Sequence, residues 1–181
     1  MMRPGAMEFD ERFTAFVRTR GEYHLRMATL LTGSLDAAED LVQASLLKLY
    51  RAWPRIDTSV EPDAYLRRII VNTHRSWYRA RFRQETTVPD VPEAAAGEDA
   101  AERHAVGALV RQALARLPRQ QRAVLVLRYC EDLPEAEVAS LLGCSAGTVK
   151  THAHRGLRTL RERLGDLDSF AVNETSRSAS G

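Results

Sequence analysis

The sequence predicts an all-α protein: two small helical domains joined by a flexible acidic linker, the second containing a helix-turn-helix. Three observations carry this expectation. Apolar residues recur at three- and four-residue steps almost throughout, and no stretch alternates as a half-buried strand does. The segment Thr86–Glu102, TTVPDVPEAAAGEDAAE, is rich in proline, alanine and acid and poor in core residues. Ala139, Gly143 and Val149 stand at successive spacings of four and six, where two crossing helices need a small residue, a turn glycine and an apolar plug. The expected boundaries are 8–83 for the first domain, 84–104 for the linker, 105–165 for the second domain and 166–181 for a disordered tail.

In the first domain, Phe9, Phe13, Phe16 and Val17 share one helical face, and Leu25 to Leu31 continue the helix up to TGS. Gly33 suits a helix C-terminus, and Ser34 or Asp36 can cap the next start. DAAEDLVQASLLKLYRAW then runs unbroken from Asp36 to Trp53, with Asp36, Glu39 and Asp40 in the first turns, where the helix dipole favours acids. Pro54 and Pro62 bracket a loop. A third helix starts near Asp63, and Leu66, Ile69, Ile70, Thr73, Trp77 and Ala80 form its inward stripe. That stripe assigns Trp77 to the core and leaves Tyr78 and Phe82 as the aromatics free to stack on a base or a partner.

The second domain begins with LPRQQRAVLVLRY, where Pro118 is placed at a first helical position. Glu135 to Leu142 form the first helix of the helix-turn-helix, with Val138, Ala139 and Leu142 inward. Ser145 is the N-cap candidate of the second helix. That helix presents Thr148, Lys150, Thr151, His154 and Arg155 outward near its N-terminus, where donors reach base edges in a major groove.

Charge is arranged in blocks. The net charge is only +2, but every charged residue from Ala64 to Arg83 is arginine. The next stretch is acidic, and Lys150 to Arg163 turns basic again with Glu162 as its single acid. Two basic surfaces flanking an acidic segment fit a polyanionic partner. In VNTHRSWYRARFR, Val71 to Arg83, arginines alternate with large aromatics, as a groove for single-stranded nucleic acid requires. Cys130 and Cys144 form no ligand spacing, and His152 and His154 point to different helix faces, so no metal or other cofactor is expected. There is no Ser/His/Asp set and no GxxxxGK[ST] phosphate loop, so the chain does not read as an enzyme. No apolar signal segment or membrane span is visible, and a reducing, cytoplasmic setting is expected.

Taken together, DAAEDLVQASLLKLYRAW, AYLRRIIVNTHRSWYRARFR, LPRQQRAVLVLRYCEDLPEAEVASLLGCSAGTVKTHAHRGLRTLRERL and the acidic stretch between them resemble the sigma-70 family of bacterial transcription initiation factors. The likeness is to its extracytoplasmic-function group, with the actinobacterial SigE-like sub-group nearest. It spans Phe9 to Leu164.

The resemblance implies that the first domain is sigma region 2 and the second is region 4. Asp40 and Gln43 would face the clamp coiled coil of the largest RNA polymerase subunit. LPRQQRAVLVLRY would support the flap contact. Asn72 matches the asparagine near the pocket for a flipped minus-ten base, and Arg55 to Glu61 the base-selecting loop. Arg67, Arg68, Arg75 and Arg79 would hold the melted strand's backbone. At the minus-thirty-five duplex, Lys150, Thr151, His154 and Arg155 would reach bases, with Thr148 and Arg158 on phosphates. An anti-sigma factor would be a further partner. The acidic linker would lie in the RNA path.

Departures are His152 and Ala153, where the family often has arginine and a larger apolar residue, and Leu133-Pro134, where it has leucine-serine. Loss of that serine cap leaves Asp132 as the substitute. Ala44 and Ser45 also depart from the family's usual pair. The competing reading is a free-standing helix-turn-helix transcriptional regulator. Such a protein has no need of the arginine and aromatic pattern of the third helix.

Overall fold

The computed structural model describes residues 4–56, 61–84 and 103–178. All the elements among them are helical. The chain divides into two compact units, the first carrying α1 to α3 and the second most residues from α4 onward.

In the first unit, α1 spans Pro4–Thr32, α2 spans Leu35–Ala52 and α3 spans Pro62–Gln84, with a short 3-10 turn at Trp53–Arg55. Gly33 closes α1 at φ 82°, a conformation that costs glycine nothing, and its N–H bonds Thr29 O at 2.8 Å. Ser34 Oγ faces the Ala37 N–H and caps α2. The core is Met27, Ala28 and Leu31 from α1, Leu41 and Leu49 from α2, and Leu66, Ile70 and Val71 from α3, all essentially removed from water. Phe13 meets Tyr50 and Trp53 edge-on at 5.0 and 5.3 Å, which ties α1 to the end of α2.

The buried stripe of α3 differs from the expected one in its last turns. Leu66, Ile70 and Thr73 are buried as expected, and so is His74, but Trp77 is 40% exposed and Ala80 is exposed. Tyr78 instead turns its ring onto buried His74, with centroids 4.8 Å apart in a T-shaped pair. The expected roles of Trp77 and Tyr78 are thus exchanged. Helical phase gives the side of a helix but not the point at which its neighbours end.

A polar junction joins α1 to α3. Arg20 Nε and His24 Nε2 both donate to Asp63 Oδ1 at 2.8 Å, and His24 is fully buried. Burial alone would push the Asp63 carboxyl up. The hydrogen bonds and charges of Arg20 and His24 outweigh it and hold Asp63 below the usual carboxylate range. A lowered carboxyl contributes stability above its unfolded value of about 3.9, which is lost as the pH falls through the lower folded value. Asp63→Asn is expected to destabilise the first unit by about 1–3 kcal/mol at neutral pH. Urea melts at pH 7 and pH 3 check this: the gap between wild type and variant is smaller at pH 3. A gap of equal size at both would assign the loss to something other than the carboxylate charge.

In the second unit, α4 spans Arg103–Ala115, α5 spans Arg119–Leu125, α6 spans Glu135–Leu142 and α7 spans Ala146–Ser178. Pro118 occupies the N-cap of α5, one position before the expected one. α5 widens into a π-turn at Val126–Cys130, where the Glu131 N–H reaches Val126 O. Arg122 is buried and donates Nη1–H to Ala115 O at 2.8 Å, satisfying a carbonyl at the end of α4. Before α6, Asp132 takes φ 51°. Its work there is the turn, and the expected substitute cap is replaced by Pro134 O, which accepts the Glu137 and Val138 N–H groups. α7 runs past Leu164 into the segment expected to be disordered. No proline or glycine interrupts Asp166 to Ser180, so nothing in the backbone chemistry stops the helix there.

Most of the expected acidic linker, with Glu93, Glu98, Asp99 and Glu102, lies outside the described residues, as do residues 57–60 of the expected base-selecting loop. No described helix is long and apolar enough to cross a membrane.

Candidate nucleic-acid interface

The helix-turn-helix forms as its spacing requires. Val138 of α6 and Val149 of α7 are fully buried, and Ala139 and Leu142 nearly so. Gly143 turns the chain at φ 61°, and the Cys144 N–H bonds Ala139 O. Ser145 caps α7: its Oγ accepts the Thr148 N–H at 3.1 Å and lies 2.9 Å from Thr148 Oγ1. Gly156 packs α7 onto α5. A Cβ there would stand 3.0 Å from Leu125 Cδ1 and 3.3 Å from Gln121 Cβ, so a larger residue at this crossing would have to displace the Leu125 side chain.

With Val149 and Gly156 fixing the inner face, the outer face follows from helical phase. Lys150, Thr151, His154, Arg155 and Arg158 are all exposed. Thr151 Oγ1 bonds Gly147 O in its own helix, and Arg158 Nε lies 3.8 Å from Glu162. Thr148 is half-buried, and both its hydroxyl and its N–H are engaged by Ser145 Oγ. His152 is partly buried on the inner side and His154 exposed, so the two do not converge. Among the described residues no group of His, Cys, Asp or Glu is arranged to hold a metal ion.

On α3, Arg68, Asn72 and Arg79 are exposed, and Arg67 and Arg75 are half-buried. Arg68, Asn72, Arg75 and Arg79 follow at steps of four, three and four, so they share one face, opposite Leu66, Ile70 and Thr73. Trp77 projects from the other side of the helix, away from that arginine face. The side chain of Phe82 lies outside the described residues.

On α2, Asp40 and Gln43 are exposed, as the sequence predicts. The same face continues through Leu47 and Tyr50, both exposed, at steps of four and three. Sequence reasoning missed these two because an apolar residue in a helix is read as core. Tyr50 is held in place by its hydroxyl, which donates to Asp10 Oδ1 at 2.9 Å.

Comparison with known proteins meets the geometry here. Residues 13–84 match the family described as Sigma-70 region 2, and residues 108–160 match Sigma-70, region 4. The chain is 42% identical to the RNA polymerase sigma-E factor of Streptomyces coelicolor over 173 residues, covering 94% of this chain and 95% of the relative. It is 36% identical to the ECF RNA polymerase sigma factor SigL of Mycobacterium tuberculosis, covering 78% and 82%. Among solved structures, the fold is similar to the sigma factor RpoE of Bartonella quintana in complex with the anti-sigma factor NepR. That match has a TM-score of 0.66 and 24% identity, and covers 86% of this chain and 98% of that one. It is also similar to CnrH in complex with the cytosolic domain of CnrY, with a TM-score of 0.58 and 20% identity over 87% and 90%.

Proposed function

Because the chain belongs to the sigma-70 family, in its extracytoplasmic-function group, we propose that it directs RNA polymerase core to promoters by dividing the work between its two units. As a sigma factor it is a transcription initiation factor that brings RNA polymerase to promoters. The finer assignments below rest on the geometry. The observation that carries them is the segregation of exposed arginines and Asn72 onto the outer face of α3, on a different unit from the exposed face of α7.

The α3 face reads the minus-ten element as a melted strand. Arg68, Arg75 and Arg79 lie along the backbone from that face, Arg67 reaches it from the flank of the helix, and Asn72 reaches the flipped base. A single strand is a charged backbone with exposed base edges, and this face offers guanidinium groups and an amide in one line. The α7 face reads the minus-thirty-five element as duplex, with Lys150, Thr151, His154 and Arg155 at base edges and Thr148 and Arg158 on phosphates. Asp40 and Gln43 on α2 meet the polymerase clamp, with exposed Leu47 and Tyr50 widening that face. α5 and exposed Tyr129 beyond it support the flap contact. The acidic linker lies in the path of the transcript. An anti-sigma factor that covers both units is part of the proposal, supported by the fold relative RpoE, which was solved with the anti-sigma factor NepR.

Asn72→Ala tests the melted-strand assignment. The holoenzyme carrying it is expected to bind a single-stranded minus-ten oligonucleotide about tenfold more weakly, in line with the ~1–3 kcal/mol of a lost base contact. Binding to an upstream duplex should be unchanged. Equal loss on both DNAs would place the effect in the fold of the first unit rather than in a base pocket.

A further inference from the structure

The exposed lysine of α7 has an anionic neighbour on α6. Lys150 Nζ stands 3.7 Å from Glu135 Oε2, and Arg128 Nη2 stands 4.0 Å from Glu135 Oε1. Arg128 also donates Nη1–H to Leu133 O, in the turn that precedes α6. A line of contacts therefore runs from that turn, through the first turn of α6, to the outer face of α7. Lys150 is 70% exposed and Glu135 35%, so the lysine is open to solvent while its carboxylate partner is partly sheltered.

We propose that Glu135 is a specificity-determining residue for duplex DNA. It holds the Lys150 ammonium at one place on the outer face and sets a negative charge against the phosphate backbone. Lysine is a point charge on a flexible four-carbon stem and can satisfy itself on any phosphate within reach. Phosphate attraction carries non-specific binding and contains no sequence information, whereas base-edge contacts do. A carboxylate beside the lysine weakens every phosphate encounter. It weakens less the one arrangement in which the ammonium already points at an acceptor on a base. Specific binding thus loses less than non-specific binding, and the ratio between them rises. As a stability element the pair contributes little, because it is exposed and near the limit of ion-pair contact. Its contribution lies in where the charge is held. The inference rests on the reading of α7 as the helix that enters the groove.

The test uses holoenzyme assembled from the full chain and core polymerase, with a library of duplexes randomised at the upstream element. The readout is the affinity ratio of the selected sequence to an unrelated duplex. Glu135→Gln is expected to lower that ratio about two- to fivefold, mainly by raising affinity for the unrelated duplex. In a Lys150→Ala background, Glu135→Gln should have no such effect. Glu137→Gln removes a charge from the same turn of α6 at an exposed position, and should leave the ratio near wild type. An unchanged ratio in Glu135→Gln would overturn the proposal. So would an equal fall in Glu137→Gln, or an equal fall without Lys150, since either would show net charge alone at work. A wild-type holoenzyme with no upstream preference would overturn both this proposal and the groove assignment beneath it, whereas a selective wild type with an indifferent Glu135→Gln would overturn the proposal alone.

Discussion

Val149→Asp is expected to unfold the second unit and abolish recognition of the upstream duplex. Val149 is fully buried on α7, and Val138 and Ala139 of α6 are also buried. An ionised carboxylate there has no partner, and the cost of several kcal/mol is comparable with the whole stability of a small domain. Val149→Ala removes the same contacts without the charge, costs only about 2 kcal/mol, and should leave the unit folded. Circular dichroism during urea unfolding separates the two variants. Association with core polymerase through α2 should survive in both, because α2 belongs to the first unit. A Val149→Asp protein that still folds and selects its duplex would show that α6 and α7 do not depend on this plug.

Replacing Lys150 and Arg155 together by alanine is expected to give the largest purely functional loss. Each good base contact is worth about 1–3 kcal/mol, so the pair should lower affinity for the selected upstream duplex by about 2–6 kcal/mol if the two act independently. Both side chains are exposed, and neither contributes to the buried face formed by Val149 and Gly156, so melting behaviour should stay close to wild type. Arg158→Ala provides the contrast. A phosphate contact should weaken all duplexes alike and reduce the salt dependence by about one ion, without changing sequence preference. Equilibrium binding of holoenzyme over a range of salt concentrations distinguishes the two patterns. Uniform weakening by the Lys150 and Arg155 pair would move those residues from base edges to the backbone.

The helix-turn-helix was legible in the sequence because its constraint is local and chemically narrow. A small residue, a positive-φ glycine and an apolar plug at fixed spacing leave few other solutions, and Ala139, Gly143 and Val149 take up those positions. Ser34 and Ser145 were legible as caps for the same reason: the bond each makes is to an N–H three residues on. The junction of Arg20 and His24 with Asp63 was not, since its partners are 43 and 39 residues apart and only tertiary structure brings them together. The exchange between Trp77 and Tyr78 has a related cause. Trp77 lies on the inward phase of α3 and Tyr78 beside it, on the side where buried His74 receives its ring. Leu47 and Tyr50 were passed over because hydropathy marks a residue as able to be buried, not as buried. The pairing of Lys150 with Glu135 crosses a helix-turn-helix and has no signature in spacing.

The most direct measurement is run-off transcription from a promoter library by purified core polymerase, with and without this chain. Transcripts that start at a defined subset of promoters only when the chain is present are the expected result. Asp40→Arg should abolish them by removing the clamp contact, and the Lys150 and Arg155 pair should redirect or reduce them. Binding of the chain to intact duplex with no promoter-dependent transcript would contradict the assignment and favour a free-standing helix-turn-helix regulator.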